Sequence, residues 1–305
     1  MAPVALLIGT GVAAGKLGWV KQEAVKGLSD LVFLLLTPAL MFRTMGQVRV
    51  EQLDFTPVAA YFAGIAVLFA GIVLGQGFGR RAVVLALAGT YSNAVMVGTA
   101  LVSLVFGPQG LVTLLTLISV HALVMLTLTT LVLEWAVQRD QAVQTSTRWR
   151  GLCLTVGRAL KSTVLHPVPL PILLGLAFAQ TGLVLPQVID KPLALLAQAF
   201  APLALVLVGV TLAFTRVGSH WRGALALTGV KNLLHPLLVW MFCALLGVQG
   251  LPATVMVLTA ALPIGANVFL FAQRYGVAQD LVTASVAVST ASALVTLTAV
   301  LMLLS

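Results

Sequence analysis

Long apolar runs alternate with short polar segments along the whole chain, and ten of these runs are long enough to cross a membrane. They cover residues 3–19, 25–45, 56–78, 82–106, 111–137, 163–185, 192–214, 224–246, 252–272 and 281–304. A helix needs about 20 apolar residues to cross the hydrocarbon core of a bilayer. The pattern therefore predicts an all-α polytopic membrane protein with ten transmembrane helices.

Two of the ten runs are interrupted by residues that disfavour a continuous helix. Pro263, Gly265 and Asn267 lie in the middle of the ninth run, and Asn93 and Gly98 lie within the fourth. Proline removes a backbone donor and clashes with the preceding turn, and glycine weakens a helix further. One interrupted run in each half is typical of carriers whose broken helices form the substrate site. The alternative is two ordinary spans whose small residues pack against neighbouring helices.

Composition and charge agree with a membrane protein and orient it. The chain is 60% hydrophobic and 8% charged, whereas soluble domains have about 25% charged residues. One set of alternate loops holds thirteen lysines and arginines and the other set holds three, while Lys231 lies inside the eighth run. Because positively charged loops remain in the cytoplasm, we expect the thirteen to be cytoplasmic and both termini to be outside.

The longest polar segment divides the runs into two groups of five. We expect a first inverted repeat at 1–137, a cytoplasmic linker at 138–162 and a second inverted repeat at 163–305. An odd number of spans reverses the orientation of the second half, so an internal repeat must be inverted. The linker is expected to be either a short helix on the membrane surface or a solvated connection.

Charged residues inside the runs indicate the chemistry of the site. A lysine at the position of Lys231 usually faces a cavity or a partner, unless it extends to the membrane surface. His235 follows one turn later on the same helical face. None of the eight acidic residues lies at the centre of a run. This argues against a proton relay or cation exchanger built on buried carboxylates and favours a site for an anion.

Such an anion site could be built from helix amino ends, which carry partial positive charge, and from side-chain donors. The predicted substrate-binding residues are Ser92, Asn93, Gly98, Thr99, Pro263, Gly265, Asn267 and Lys231. His121 and His235 are predicted as coupling or supporting residues, since histidine can accept a proton near neutral pH. The alternatives are that the asparagines connect helices and, as the preferred interpretation of His121, that it forms an interhelical hydrogen bond.

Enzymatic function is not expected. The chain has no nucleophile elbow, phosphate loop or paired carboxylates within a span, and its two cysteines do not suggest a metal site or disulfide framework. We expect no cofactor and no metal. The expected partners are a small organic anion and the lipid bilayer, with a homodimer left open. Nucleic acid is not expected despite the net charge of +9, because the basic residues follow membrane orientation.

Several short motifs together resemble the auxin efflux carrier family over essentially the whole chain. The motifs are Leu36-Thr37-Pro38-Ala39-Leu40, Tyr91-Ser92-Asn93, Pro202 followed by Gly209, Lys231 to Pro236, and Ala261-Leu262-Pro263 leading to Ala272-Gln273-Arg274-Tyr275-Gly276. Gly265-Ala266-Asn267 and Lys231 to Pro236 are most similar to the bacterial malonate transporter branch. The resemblance implies a five-plus-five inverted repeat, scaffold and transport domains, crossing fourth and ninth helices, and elevator-type transport of organic anions.

One position departs from the family pattern. Family members commonly have proline after glycine at the break of the fourth helix, whereas this chain has Gly98-Thr99. We therefore expect either a milder break at this point or a contact between Thr99 and the substrate.

The sequence predicts a secondary active transporter of small organic anions in the bacterial inner (plasma) membrane, with malonate as a candidate substrate. One alternative is a sodium-coupled organic-anion symporter of bile-acid type. An alternative of another class is a non-transporting membrane receptor or assembly subunit.

Overall fold

The computed structural model describes residues 2–141, 168–215 and 218–304. Helices account for nearly all of this part of the chain, which contains no β-strand but has one isolated β-bridge. The main helices are α1 Ala2–Lys16, α2 Ala24–Met45, α3 Thr56–Gln76, α4 Arg80–Thr90, α5 Thr99–Gln141, α6 Pro169–Gln180, α7 Gln187–Phe214, α8 Trp221–Leu245, α9 Gly250–Ala260, α10 Asn267–Tyr275 and α11 Gln279–Leu304. Most of the linker predicted at 138–162, from residue 142 onwards, lies outside the described residues.

Each of the ten predicted runs contains a helix, which confirms the all-helical membrane class. Six helical segments are long and apolar enough to span a membrane, namely Ala24–Met45, Thr56–Gln76, Ala94–Val137, Gln187–Phe214, Trp221–Leu245 and Gln279–Leu304. α1, α6 and α9 are shorter apolar helices. Gly107, with φ 60° and ψ −152°, kinks the Ala94–Val137 segment between the fourth and fifth predicted runs. The chain is thus a multi-pass membrane protein, and the count of ten spans in an inverted repeat stays a prediction.

Three π turns interrupt the regular helices, at Val32–Leu36 in α2, at Ala94–Gly98 before α5 and at Val230–Leu234 in α8. Pro38 and Pro236 each follow a π turn by two residues. Proline cannot donate to the carbonyl one turn earlier and its ring crowds that carbonyl, so a locally wider turn suits the residues before it. Single π turns often occur at functional sites, and two of these three lie beside the broken helices.

One group of helices consists of α1, α2, α6 and α7. α1 lies along α7, and α2 packs against α6 and α7. The close approach of α1 to α7 depends on two glycines, since a Cβ on Gly11 would lie 2.0 Å from the Val206 carbonyl oxygen and one on Gly209 would lie 2.0 Å from that of Ile8. The two helices therefore pack with their backbones in contact.

A second group of helices carries the two interrupted runs. α3 packs against α4 and α8, α8 packs against α9 and α11, and α10 contacts α4 and α11. α5 contacts helices of both groups, and the π turn Ala94–Gly98 contacts α7. The interrupted segments are thus held inside one bundle that borders the other.

Candidate functional site

Both predicted helix breaks are present. The first is formed by residues 91–93, between α4 and the π turn, and the second by residues 261–266, between α9 and α10. The first break therefore precedes Gly98-Thr99, where the family pattern had suggested it. Gly98 is instead a point of close packing, because a Cβ there would lie 2.7 Å from Cδ1 of Leu262. Thr99 is fully buried, and its hydroxyl donates to the Ala94 carbonyl at 3.2 Å, within its own helix.

The two broken segments cross and exchange backbone hydrogen bonds. Ser92 and Ile264 form an antiparallel bridge. The N–H of Asn93 donates to the Pro263 carbonyl at 2.9 Å, and the N–H of Gly265 donates to the Tyr91 carbonyl at 3.0 Å. Backbone groups freed inside a membrane need protein or water partners. Each break thus provides hydrogen-bond partners for backbone groups of the other. We call this region, residues 91–94 and 261–267, the crossing.

Lys231 stabilises one side of the crossing. Its side chain is fully buried, and Nζ donates to the carbonyls of Ala260 at 2.5 Å and Leu262 at 2.8 Å. These carbonyls lie at and just beyond the carboxyl end of α9, where a helix has unpaired acceptors and partial negative charge. Lys231 therefore does not extend to the membrane surface, and that alternative is wrong.

The π turn of α8 directs two consecutive side chains into the bundle. Next to Lys231, the buried Asn232 donates through Nδ2 to the Ser289 carbonyl at 3.2 Å and to Oγ1 of Thr296 at 3.4 Å. The Ser289 hydroxyl in turn accepts the N–H of Ile264 at 3.1 Å. α11 is therefore connected to both α8 and the crossing. The sequence analysis missed Ser289, which is one of many hydroxyl residues in the tenth run.

Two tyrosines at the crossing were also missed. The hydroxyl of the fully buried Tyr61, on α3, forms a 2.8 Å hydrogen bond with Oγ of Ser92. The Tyr91 hydroxyl accepts a 3.3 Å hydrogen bond from Nδ2 of Asn267. The chain has only three tyrosines, and these two lie inside apolar runs. That rarity is the signal that could have identified them.

His121 and His235 pack around Tyr61, with ring centroids 5.7 Å and 5.4 Å from the tyrosine ring. His121 also stacks on Tyr91 at 4.9 Å. Nε2 of His121 and both ring nitrogens of His235 are buried without a hydrogen-bond partner among the described residues. The interhelical hydrogen bond preferred for His121 is therefore not formed by Nε2.

The residues of the crossing differ in exposure. Asn93 is half-buried and Asn267 is exposed, whereas Ser92, Pro263 and Gly265 are buried like Lys231. Asn93 and Asn267 stand where the π turn and α10 begin, and the first turn of a helix has N–H groups without helical partners. Over the part of the chain that the structure describes, no carboxylate hydrogen-bonds to the crossing. The exposed or half-buried polar side chains of the crossing are thus two carboxamides, which can donate hydrogen bonds to an anion.

Comparison with known proteins agrees with this architecture. The chain matches the family described as "Membrane transport protein" over residues 1–301. It is 28% identical over 290 residues to a protein of Rhizobium meliloti (strain 1021) named "Putative malonate transporter", an alignment that covers 92% of this chain and 88% of that protein. The predicted resemblance to auxin efflux carriers is thereby confirmed. The chain belongs to the Membrane transport protein family, that of the auxin efflux carriers.

Proposed function

We propose that this protein is a secondary active transporter of small organic anions, with malonate as the first substrate to test, and that it is not an enzyme. The crossing supports the proposal, because two helices begin at it, at the half-buried Asn93 and the exposed Asn267. The family match and the name of the Rhizobium meliloti relative support a transport role.

A carboxylate would bind at the amino ends of the π turn Ala94–Gly98 and of α10. Each such end carries about half a positive charge, although the N–H groups of Ala94, Val268 and Phe269 already donate to main-chain carbonyls. The amides of Asn93 and Asn267 add donors, and one Nδ2 hydrogen of Asn267 is free because its bond to Tyr91 uses only the other. Direct contact with the substrate is thus proposed for these amides and for the helix ends.

The other predicted site residues would act by holding this arrangement in place. The hydroxyls of Ser92 and Thr99 already have partners, in Tyr61 and Ala94. Gly98, Pro263 and Gly265 lie buried within the packed crossing. Lys231 would add positive potential without touching the substrate, because its ammonium group is bonded to carbonyls on the buried side.

Transport would follow an elevator-type cycle. The bundle that holds the crossing, formed by α3, α4 and α8 to α11, would move against the group formed by α1, α2, α6 and α7. Backbone contact between α1 and α7 supports a rigid second group. We place this device in the bacterial inner membrane as ten spans in two inverted repeats, with both termini outside as the positive-inside rule requires.

Malonate binding and counterflow test the proposal. Purified protein should show a malonate-dependent rise in thermal stability, and proteoliposomes preloaded with malonate should take up labelled malonate. Asn267→Ala should weaken binding by about tenfold or more, since a hydrogen bond to a charged group contributes about 1.5–3 kcal/mol. Gln273→Ala is the matched control, because Gln273 is another exposed carboxamide on α10.

The outcomes separate the alternatives. Unchanged malonate binding in Asn267→Ala would remove this residue from the site. A folded protein that binds malonate but gives no counterflow would instead be a receptor or assembly subunit. Uptake that requires sodium would favour a sodium-coupled symporter of bile-acid type.

A further inference from the structure

The most unusual buried group in the molecule is the ammonium of Lys231. It is fully buried, and its two hydrogen-bond partners are both main-chain carbonyls, those of Ala260 and Leu262. The ion pair between Arg43 and Asp190 involves neither Lys231 nor a residue of the crossing. The charge of Lys231 is therefore balanced by carbonyl dipoles rather than by a carboxylate.

The position of these carbonyls is one at which a cation would be expected to bind. They lie at the interrupted carboxyl end of α9, which carries partial negative charge. In carriers with discontinuous helices, unwound carbonyls and half-helix carboxyl ends are the groups that coordinate a coupling cation such as sodium. Here Nζ is within 2.8 Å of both oxygens, so the oxygens that a metal cation would use are already bonded to a covalently attached cation.

We propose that the ammonium of Lys231 permanently replaces a coupling sodium ion, so that anion binding and transport need no sodium. The transport part of this inference rests on the function proposed above, whereas the part that concerns the structure of the crossing does not. The ammonium neutralises the end of α9 in every state of the cycle, and it repels a second cation from the same carbonyls.

The surroundings of Lys231 keep the ammonium in place. The π turn Val230–Leu234 places Lys231 and Asn232 on the buried side of α8, and Asn232 fixes this turn to α11 through the Ser289 carbonyl. Ser289 also holds the N–H of Ile264 at the crossing. The lysine side chain therefore connects the π turn of α8 to the crossing, and α11 holds both of these segments in place.

The wild-type protein gives the first test. Uptake of labelled malonate into proteoliposomes should be equal within twofold in sodium chloride and in choline chloride of the same ionic strength. The melting temperature of the purified protein should likewise be the same in the two salts. A tenfold or greater stimulation of uptake by sodium would overturn the proposal, whatever the variants do.

Two substitutions give the second test. Lys231→Ala opens a space beside the two carbonyls, so its melting temperature should be low in choline and should rise in sodium. Lys231→Met fills most of that space without charge, so it should be destabilised in both salts. Lys191→Ala, which changes an exposed lysine on α7, is the control and should behave as wild type in both.

The melting-temperature experiment separates failure of this inference from failure of the proposed function, because it needs no substrate. If Lys231→Ala folds and its melting temperature is the same in sodium and in choline, the proposal that Lys231 replaces a sodium ion is overturned. A Lys231→Met protein with the melting temperature of the wild type would also overturn this proposal. If neither variant folds, sodium dependence of the wild-type protein alone decides. If sodium raises the melting temperature of Lys231→Ala but the protein does not bind malonate, the replacement of sodium by Lys231 stands. Malonate is then refuted as the substrate.

Discussion

Replacing Gly265 with alanine should measure how tightly the two broken helices are held together. Gly265 is buried in the second break, and its N–H donates to the Tyr91 carbonyl. A Cβ at this position would lie 2.6 Å and 2.8 Å from two carbons of the Tyr91 ring and 3.3 Å from the Ser92 carbonyl oxygen. Movement of the ring is restricted, because the ring also stacks on His121 at 4.9 Å.

The added methyl group should therefore destabilise the folded protein by overpacking, which costs about 1–3 kcal/mol. The free energy of unfolding can be measured by denaturant titration in detergent micelles, followed by tryptophan fluorescence. Gly71→Ala is the matched control, because a Cβ on Gly71 would meet nothing within 4 Å. It should be neutral or stabilising by up to about 1 kcal/mol, since alanine favours a helix over glycine.

A double-mutant cycle identifies the cause. If the clash with the ring is the main cause, Gly265→Ala should cost much less in a Tyr91→Ala background, where only the 3.3 Å contact with the Ser92 carbonyl oxygen remains. The coupling energy should then be most of the single-mutant cost of about 1–3 kcal/mol. The variant should also bind malonate more weakly, because the Tyr91 hydroxyl positions Asn267. An equal cost of Gly265→Ala in both backgrounds, or a cost no larger than that of Gly71→Ala, would refute the reasoning.

Two further substitutions test other contacts by the same measurement. Tyr61→Phe should destabilise the protein by about 1–3 kcal/mol, because it leaves the buried Ser92 hydroxyl without its partner; unchanged stability would contradict the 2.8 Å hydrogen bond. Gly11→Ala should cost about 1–3 kcal/mol or more, because its Cβ meets the Val206 carbonyl. Gly9→Ala on the same helix meets nothing within 4 Å, and equal effects of the two changes would exclude backbone contact between α1 and α7.

The two helix breaks differ in how well they can be predicted from sequence. The second contains Pro263 and Gly265, which disfavour a helix locally, and the interruption lies where these residues predict it. The first contains Asn93 but no proline or glycine at residues 91–93, and the family pattern placed the break at Gly98-Thr99. Its backbone is held open by pairing with residues more than 160 positions away. Local propensity does not reveal such a partner, so the sequence identified Asn93 as an interruption but could not distinguish it from Gly98 as the position of the break.

The candidate site shows the same limit. Hydropathy alone identifies Lys231, because a charge in an apolar run must have a partner, but the partners are main-chain carbonyls 29 and 31 residues away. Ser289 could not be distinguished from its neighbours, since most hydroxyls in these helices bond a carbonyl of their own helix, as Ser285 and Thr290 do. The Ser289 hydroxyl also donates to the Val286 carbonyl of its own helix while it accepts the Ile264 N–H, so its sequence signature is the same as theirs.

The two halves of the crossing are capped differently, and this asymmetry bears on which ions it accepts. The carboxyl end of α4 receives neutral donors, namely the Thr90 hydroxyl on the Ala86 carbonyl and the Tyr91 N–H on the Leu87 carbonyl. The carboxyl end of α9 receives Lys231. The crossing contains two helix amino ends, each with about half a positive charge, and two carboxyl ends, each with about half a negative charge. These partial charges would nearly cancel.

A single fixed ammonium therefore makes the field at the crossing positive overall. It does so from the buried side, so the accessible amides of Asn93 and Asn267 remain available to a ligand. An acidic residue near the crossing would reverse this effect, and the described part of the chain places its carboxylates towards the ends of helices and in loops. If the protein transports anions as proposed, one lysine added to an otherwise balanced set of helix dipoles would account for that selectivity.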